Sequence, residues 1–194
     1  MAINPKQPPD AATAALHAGL GEIRGVTAQG GLAEATGVDA RTPHETYHLG
    51  LDSIEAKKGV AAAQPVGWRY LLAAGPVGRG LAAEVHSRAS GYEFAGLNEG
   101  PFVQQIADQI GKLRGEIGDE IYEPRLLRIP ALYIAALWLK GKNDDLFVPL
   151  QPSHPAVEPH RVYSRKDFEA AIEKAAKEMK GAEPPKKEDA PHAP

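Results

Sequence analysis

Nine consecutive apolar residues, Ala131 to Leu139, are followed by the polar sequence GKNDD and by a second apolar stretch, Leu146 to Leu150. Two apolar stretches joined by a short polar loop are typical of a β-hairpin. The first stretch is apolar on both faces, so we expect a central strand that helices cover on both sides. Periodicity alone also permits a helix over residues 131–140. Either form requires a layered fold with a buried core.

An amphipathic helix is predicted after Gly100-Pro101. Its apolar residues recur every three or four positions, which is the spacing of one helix face. They are Phe102, Ile106, Ile110, Leu113 and Ile117. Gly118 follows them as a natural stop.

A second amphipathic helix is predicted near the C-terminus. Ser164 and Asp167 stand at the N-cap and N3 positions of a capping box, with Asp in place of Glu. Tyr163 and Phe168 flank the cap as a hydrophobic staple, and Gly181 is the expected end.

A weaker helix is predicted from about Asp10 to Val26. Its apolar stripe has helical spacing and consists of Leu16, Leu20 and Ile23. Three glycines interrupt it, each costing about 1 kcal/mol relative to alanine. We therefore expect this helix to depend on packing against its own domain or another subunit.

Two further strands are predicted at Trp68–Ala74 and Tyr92–Leu97. Residues 44–54 and 81–89 fit a helix or a strand equally well. The predicted fold class is α+β: a mostly antiparallel sheet of four or five strands, packed by the two amphipathic helices. The weaker N-terminal helix and flexible ends complete it.

Proline clusters suggest the domain boundaries, because proline-rich ends offer few apolar side chains to bury. We expect an N-terminal arm with a marginal helix over residues 1–40, an α+β core domain over 41–150 and a proline-rich linker over 151–163. The last helix, 164–180, should pack on the core, and 181–194 should form a disordered tail.

Composition excludes several classes of function. The chain has no cysteine, which removes disulfides and thiolate chemistry. With a net charge of −3, the chain lacks the excess of positive charge that is typical of proteins binding nucleic acid or acidic membranes. No signal sequence or membrane span is apparent, so we expect a soluble cytoplasmic protein.

The sequence HETYH, residues 44–48, matches the H-E-x-x-H pattern of zinc hydrolases. In that chemistry His44 and His48 would bind zinc from one helical turn, and Glu45 would act as the base. However, Thr42-Pro43 also resembles an ordinary helix start. If the segment is a strand, about 13 Å separates the two histidines, too far to share one metal. We favour a capped helix start or a strand over a zinc site.

A glycine loop, Gly75, Gly78 and Gly80, follows a predicted strand and could approach a nucleotide phosphate. Its order is not G-x-G-x-x-G, and Pro76 removes one amide. We favour a turn between strands at Tyr70–Ala74 and Leu81–His86 over a nucleotide site.

The function expected from the sequence is therefore non-catalytic: a protein-binding or assembly module with no cofactor. A protein partner or homo-oligomer is expected, and nucleic acid and membranes are not. A zinc-dependent hydrolase at residues 44–48 is the first alternative, and nucleotide binding at Gly75–Gly80 is the second.

Overall fold

The computed structural model describes residues 2–27, 40–72, 81–116 and 120–181. Within them, nine strands form one mixed sheet, and four helices accompany it. The α+β class is confirmed, but the predicted mostly antiparallel sheet of four or five strands is wrong. The sheet is about twice as large, and two of its pairings are parallel.

The elements follow in chain order. The strands are β1 (Ala2–Ile3), β2 (Ala40–His48), β3 (Gln64–Leu72), β4 (Leu81–Arg88), β5 (Gly91–Glu99), β6 (Ile121–Ile129), β7 (Ile134–Lys140), β8 (Asp145–Pro149) and β9 (Tyr163–Ser164). The helices are α1 (Asp10–Thr27), α2 (Leu51–Glu55), α3 (Pro101–Glu116) and α4 (Arg165–Gly181). Across the sheet the order is β5-β4-β3-β2-β6-β7-β8-β9, with β1 paired to β6. β1 and β2 run parallel to β6, and the other pairs are antiparallel.

The sequence prediction missed β6, which lies near the middle of the sheet. This strand contains Pro124, and a proline normally argues against a central strand because it lacks the N–H donor. Here β1 pairs with β6 at Ile121 and Tyr122, and β2 pairs with it from Arg125 onward. Pro124 therefore falls between the two parallel partners, where its missing donor is tolerated.

The predicted hairpin and helices are confirmed. The apolar segment 131–139 begins as a 3₁₀ turn, Pro130–Leu132, and continues as β7, which pairs with β8. At the start of α4, the Asp167 N–H donates to Ser164 Oγ over 3.2 Å, and Ser164 Oγ donates to Asp167 Oδ2 over 2.8 Å. The rings of Tyr163 and Phe168 meet edge to face with centroids 6.2 Å apart. The staple forms as predicted, and so does the Ser164 half of the capping box, while the Asp167 carboxylate accepts from the Ser164 hydroxyl.

The register decides which side chains share a face, because directly opposite residues in neighbouring strands point the same way. His44, Arg69 and Glu84 lie opposite one another in β2, β3 and β4. α3 packs on the face that carries them, which we call the α3 face. Trp68 and Val85 lie on the other face, which α1 and α4 cover.

On this α1/α4 face the buried residues form two separate apolar clusters. One joins α1 to β3 and β4, and the other joins α4 to β6, β7 and β8. Charged residues lie between them: Lys6 Nζ is 2.8 Å from Glu45 Oε2. The guanidinium of Arg125 lies 5.0 Å and 4.8 Å from the ring centroids of Tyr47 and Trp138.

The segment predicted as a linker, 151–163, has specific contacts with the rest of the chain. Val157 is buried in the cluster under α4. The backbone N–H of Gln151 donates to Gln105 Oε1 of α3 over 2.8 Å, and the His160 N–H donates to the Pro149 carbonyl oxygen. No helix in the described part of the chain is long and apolar enough to cross a membrane.

Candidate functional site

A groove of about 390 Å³ lies on the α3 face. All of its lining residues belong to β2, β3, β4 and β6: Thr46, His48, Pro65, Val66, Gly67, Trp68, Glu84, Val85, His86, Ser87, Arg88 and Arg128. We call it the cross-strand groove. Charged and imidazole side chains make up a large part of this lining: His48, Glu84, His86, Arg88 and Arg128.

Gly67 forms the floor of the cross-strand groove. It stands opposite Thr46 of β2 and His86 of β4 in the register. A Cβ atom at this position would overlap the carbonyl oxygen of Val85 on β4. The missing side chain thus permits close strand packing and leaves open space between the neighbouring side chains.

An ion cluster closes the inner end of the groove. Glu84 Oε1 accepts hydrogen bonds from Arg69 Nη1 at 2.7 Å and from Arg128 Nη2 at 2.5 Å. The Arg69 side chain is 1% exposed, that of Glu84 13% and that of Arg128 29%. Burial lowers the pKa of Arg69 to about 10, against the opposing effect of Glu84, so the guanidinium stays charged at neutral pH. Two cations on one carboxylate leave an excess of positive charge.

Two histidines lie on opposite sides of the groove. Nε2 of His86 is 3.8 Å from the other carboxylate oxygen of Glu84. Partial burial lowers the pKa of His48, and the charge of Arg128 lowers it further. His48 is therefore neutral at pH 7, when one of its ring nitrogens can donate a hydrogen bond and the other can accept one.

Next to the groove, His44 and Arg69 carry buried nitrogen atoms without a hydrogen-bond partner among the described residues. Nδ1 of His44 lies 3.0 Å from the Thr42 carbonyl oxygen, which only accepts, so Nδ1 carries the proton. Nε2 of His44 then presents a lone pair, while Nε and Nη2 of Arg69 present donors, and all three are unpaired. Burial lowers the pKa of His44 to about 4. The ring of Phe102 in α3 covers the Arg69 guanidinium at 5.3 Å.

The HETYH segment is part of strand β2, which confirms the strand interpretation of residues 44–48. His44 and His48 are separated by about 13 Å of extended chain, so they do not form the helical zinc pair. Glu45 lies on the opposite face of the sheet, where Lys6 and the Tyr47 hydroxyl bind its carboxylate. Among the described residues, no group of three or more His, Asp or Glu side chains is placed to hold a metal ion.

The glycines of the predicted nucleotide loop, Gly75, Gly78 and Gly80, lie outside the described residues. The strands on either side are described: β3 and β4 pair antiparallel from Leu72 and Leu81 onward. A dinucleotide-binding unit instead continues from its loop into a helix and then a parallel strand. The hairpin interpretation of this region is confirmed, since residues 81–88 form a strand rather than that helix.

The sequence prediction missed the ion cluster. The sequence feature that could have predicted it is a single charged residue inside each of two apolar strands, Arg69 in WRYLL and Glu84 in LAAEV. Charged residues are rarely buried unless they are paired, so such positions indicate partners on neighbouring strands. Arg128 carries no comparable signal, because its approach to Glu84 depends on the strand order.

Comparisons with protein-family models, with curated proteins and with solved structures found no match to this chain. The function of the cross-strand groove therefore rests on its geometry and its charge.

Proposed function

We propose that this protein is a non-catalytic binding module whose cross-strand groove takes an anionic ligand. The observation that carries the proposal is the ion cluster, in which Arg69 and Arg128 share one oxygen of Glu84. A charge-assisted hydrogen bond from a guanidinium is among the stronger contacts available to a carboxylate or a phosphate. Arg128 is the cation of the cluster that lines the groove, and its side chain is 29% exposed.

Among the described residues that line the groove, the remaining charged side chain does not offset this excess. Arg88 lines the groove and pairs with Glu93 of β5 at 2.7 Å, so this pair is balanced internally. The groove has a volume within the usual range for small-molecule sites, about 300–1,000 Å³. A partly enclosed, positively charged pocket of this size favours a small anion over a neutral ligand.

The wider expectations stay predictions. A protein partner or a homo-oligomer, a cytoplasmic location and the absence of nucleic-acid binding are compatible with a ligand groove on one face of the sheet. The lack of cysteine and the small net negative charge support the last two.

Isothermal titration calorimetry with sodium sulfate, sodium phosphate and sodium succinate tests the proposal on the full chain. We expect at least one anion to bind the wild type, and Arg128→Gln to weaken binding by about tenfold or more. Arg161→Gln is the matched control, because Arg161 lies outside the groove and is 57% exposed beside Glu158. Failure of all three anions to bind at millimolar concentration, or equal losses in both variants, would overturn the proposal.

A further inference from the structure

We propose that the natural ligand of the cross-strand groove is a small phosphate monoester, with its phosphate between Arg128 and His48 on one side and His86 on the other. This inference rests on the proposed function and specifies the ligand class for the same groove. Three properties of the groove carry it: its charge, the directions of its donors and its size.

The charge of the groove suits a dianion. Arg69 and Arg128 together exceed the charge of Glu84 by one, and the Arg88–Glu93 pair adds nothing. Nε2 of His86 faces the other Glu84 oxygen at 3.8 Å and places a further imidazole nitrogen near this excess charge. A phosphate monoester carries between about −1.5 and −2 charges at pH 7. It is therefore attracted more strongly to the excess positive charge than a single carboxylate, which carries one charge.

The donors belong to strands on both sides of β3, and the guanidinium of Arg128 reaches across to Glu84 of β4, near His86. Arg128 and His48 lie opposite each other in β6 and β2, which are parallel neighbours. His86 projects from β4, beyond the glycine floor at Gly67. A planar carboxylate fits one guanidinium edge-on, whereas a phosphate presents three oxygen atoms in different directions. Donors from three different strands therefore match the tetrahedral anion better.

The size of the groove indicates a small molecule. Its 390 Å³ are bounded by four strands, with Gly67 as the floor and the Glu84 ion cluster at the inner end. The phosphate would lie near Gly67, beside the Arg128–Glu84 bridge, because Gly67 itself contributes no side chain between Thr46 and His86. The remaining volume accommodates an organic group of modest size rather than a polymer.

The inference is tested by titrating the wild-type protein with sn-glycerol 3-phosphate, inorganic phosphate, succinate and acetate in the calorimeter at pH 7. We expect glycerol phosphate to bind at least about tenfold more tightly than either carboxylate, since one more charge-assisted hydrogen bond contributes roughly that factor. We also expect it to exceed inorganic phosphate, because its glycerol group occupies the rest of the groove.

A histidine variant tests the donor on β4. His86→Asn should weaken glycerol phosphate several-fold and leave acetate unchanged, whereas His17→Asn, at an exposed position of α1 on the other face, should change neither. Equal binding of carboxylates and phosphates, or an unchanged affinity in His86→Asn, overturns the phosphate inference while the anion-binding proposal stands. Absence of binding by every anion overturns both. Circular dichroism of each variant checks that the fold is retained.

Discussion

Arg128 of β6 reaches Glu84 of β4 across two intervening strands, β3 and β2, and meets Arg69 at the same carboxylate oxygen. Strands lie about 4.8 Å apart, so the side chains bridge roughly 14 Å of sheet. The bridge passes the level of Gly67, where a larger residue is excluded by the β4 backbone. The shared oxygen therefore ties the two halves of the sheet together as well as shaping the groove.

Removing the shared carboxylate should destabilise the fold strongly. Glu84→Gln leaves Arg69 charged, 1% exposed and without an anionic partner. We expect the free energy of unfolding to fall by about 3 kcal/mol, which is typical when one partner of a buried pair is removed. Urea denaturation at pH 7 measures it. Glu93→Gln, in an exposed ion pair with Arg88, is the control and should leave the midpoint unchanged.

Removing the buried cation should cost less than removing the carboxylate. Arg69→Met replaces the guanidinium by an unbranched apolar side chain beneath Phe102, and Glu84 keeps Arg128 as its partner. Removing one member of a buried ion pair is most costly when the other charge is left without a partner, and here it is not. The same denaturation experiment should rank Glu84→Gln as less stable than Arg69→Met. The reverse order would show that Arg128 alone does not satisfy Glu84.

His44 should make the protein less stable in mild acid. Its pKa is about 4 in the folded protein because burial disfavours the charged ring, while the ordinary value is 6.5. Between these values the unfolded chain binds more protons, so the free energy of unfolding falls as the pH falls. From pH 7 to pH 5 we expect His44 to account for a loss of about 2 kcal/mol. His44→Asn keeps a donor near the Thr42 carbonyl and should remove this part of the pH dependence in urea denaturation.

Anion binding should strengthen as the pH falls below 7. Burial and the charges of Arg128 and His86 lower the pKa of His48, and a bound anion should raise it again. Sulfate is a suitable probe, because its charge is constant across this range. Calorimetry in buffers of different ionisation enthalpy should detect proton uptake, and His48→Asn should reduce it.

Other groups near the two histidines contribute to that profile. Glu84 and Arg88 lie on the same strand as His86, and Glu93 stands opposite it on β5. Proton uptake that persists in both His48→Asn and His86→Asn would assign the effect to these carboxylates instead.

Two glycines of α1 should respond to alanine in opposite ways. A Cβ on Gly19 would overlap the ring of Phe94 on β5, whereas a Cβ on Gly21 would have no neighbour within 4 Å. We expect Gly21→Ala to raise the free energy of unfolding by about 1 kcal/mol, through helix propensity. Gly19→Ala should lower it by about 1–3 kcal/mol, because Phe94 has to move. Thermal unfolding of the two variants compares them directly.

The sequence predicted the elements whose apolar periodicity is uninterrupted. α3, α4 and the β7–β8 hairpin have such patterns, and α1 was predicted with its dependence on packing, which Gly19 and Phe94 now explain. The sheet is larger than predicted because β6 was missed, β2 was left open between helix and strand, and the two-residue strands β1 and β9 are too short to show a pattern. Pro43 in β2 and Pro124 in β6 break the alternation by which strands are recognised, and the tertiary contacts that compensate for them are not local in sequence.

The groove could be predicted only in part. Glu84 and Arg69 are conspicuous as charges within apolar strands, and they are paired neighbours in the β3–β4 hairpin. Arg128 joins them through a parallel β2–β6 pairing, which no turn or loop in the sequence specifies. The HETYH motif matches a known zinc-binding pattern, but that pattern requires a helix. In strand β2, successive residues face opposite sides of the sheet, so His44 and Glu45 do not share a site.

The charged divide on the α1/α4 face has a consequence for the dynamics of the protein. Lys6, Glu45 and Arg125 separate two apolar clusters, so the contacts that hold α1 to β4 and β5 are largely independent of those that hold α4. Such a division favours cooperative units that open with different free energies. Backbone amides of α1 and β5 should exchange hydrogen earlier than those of β7 and β8, and the boundary between fast and slow amides should follow strand β2.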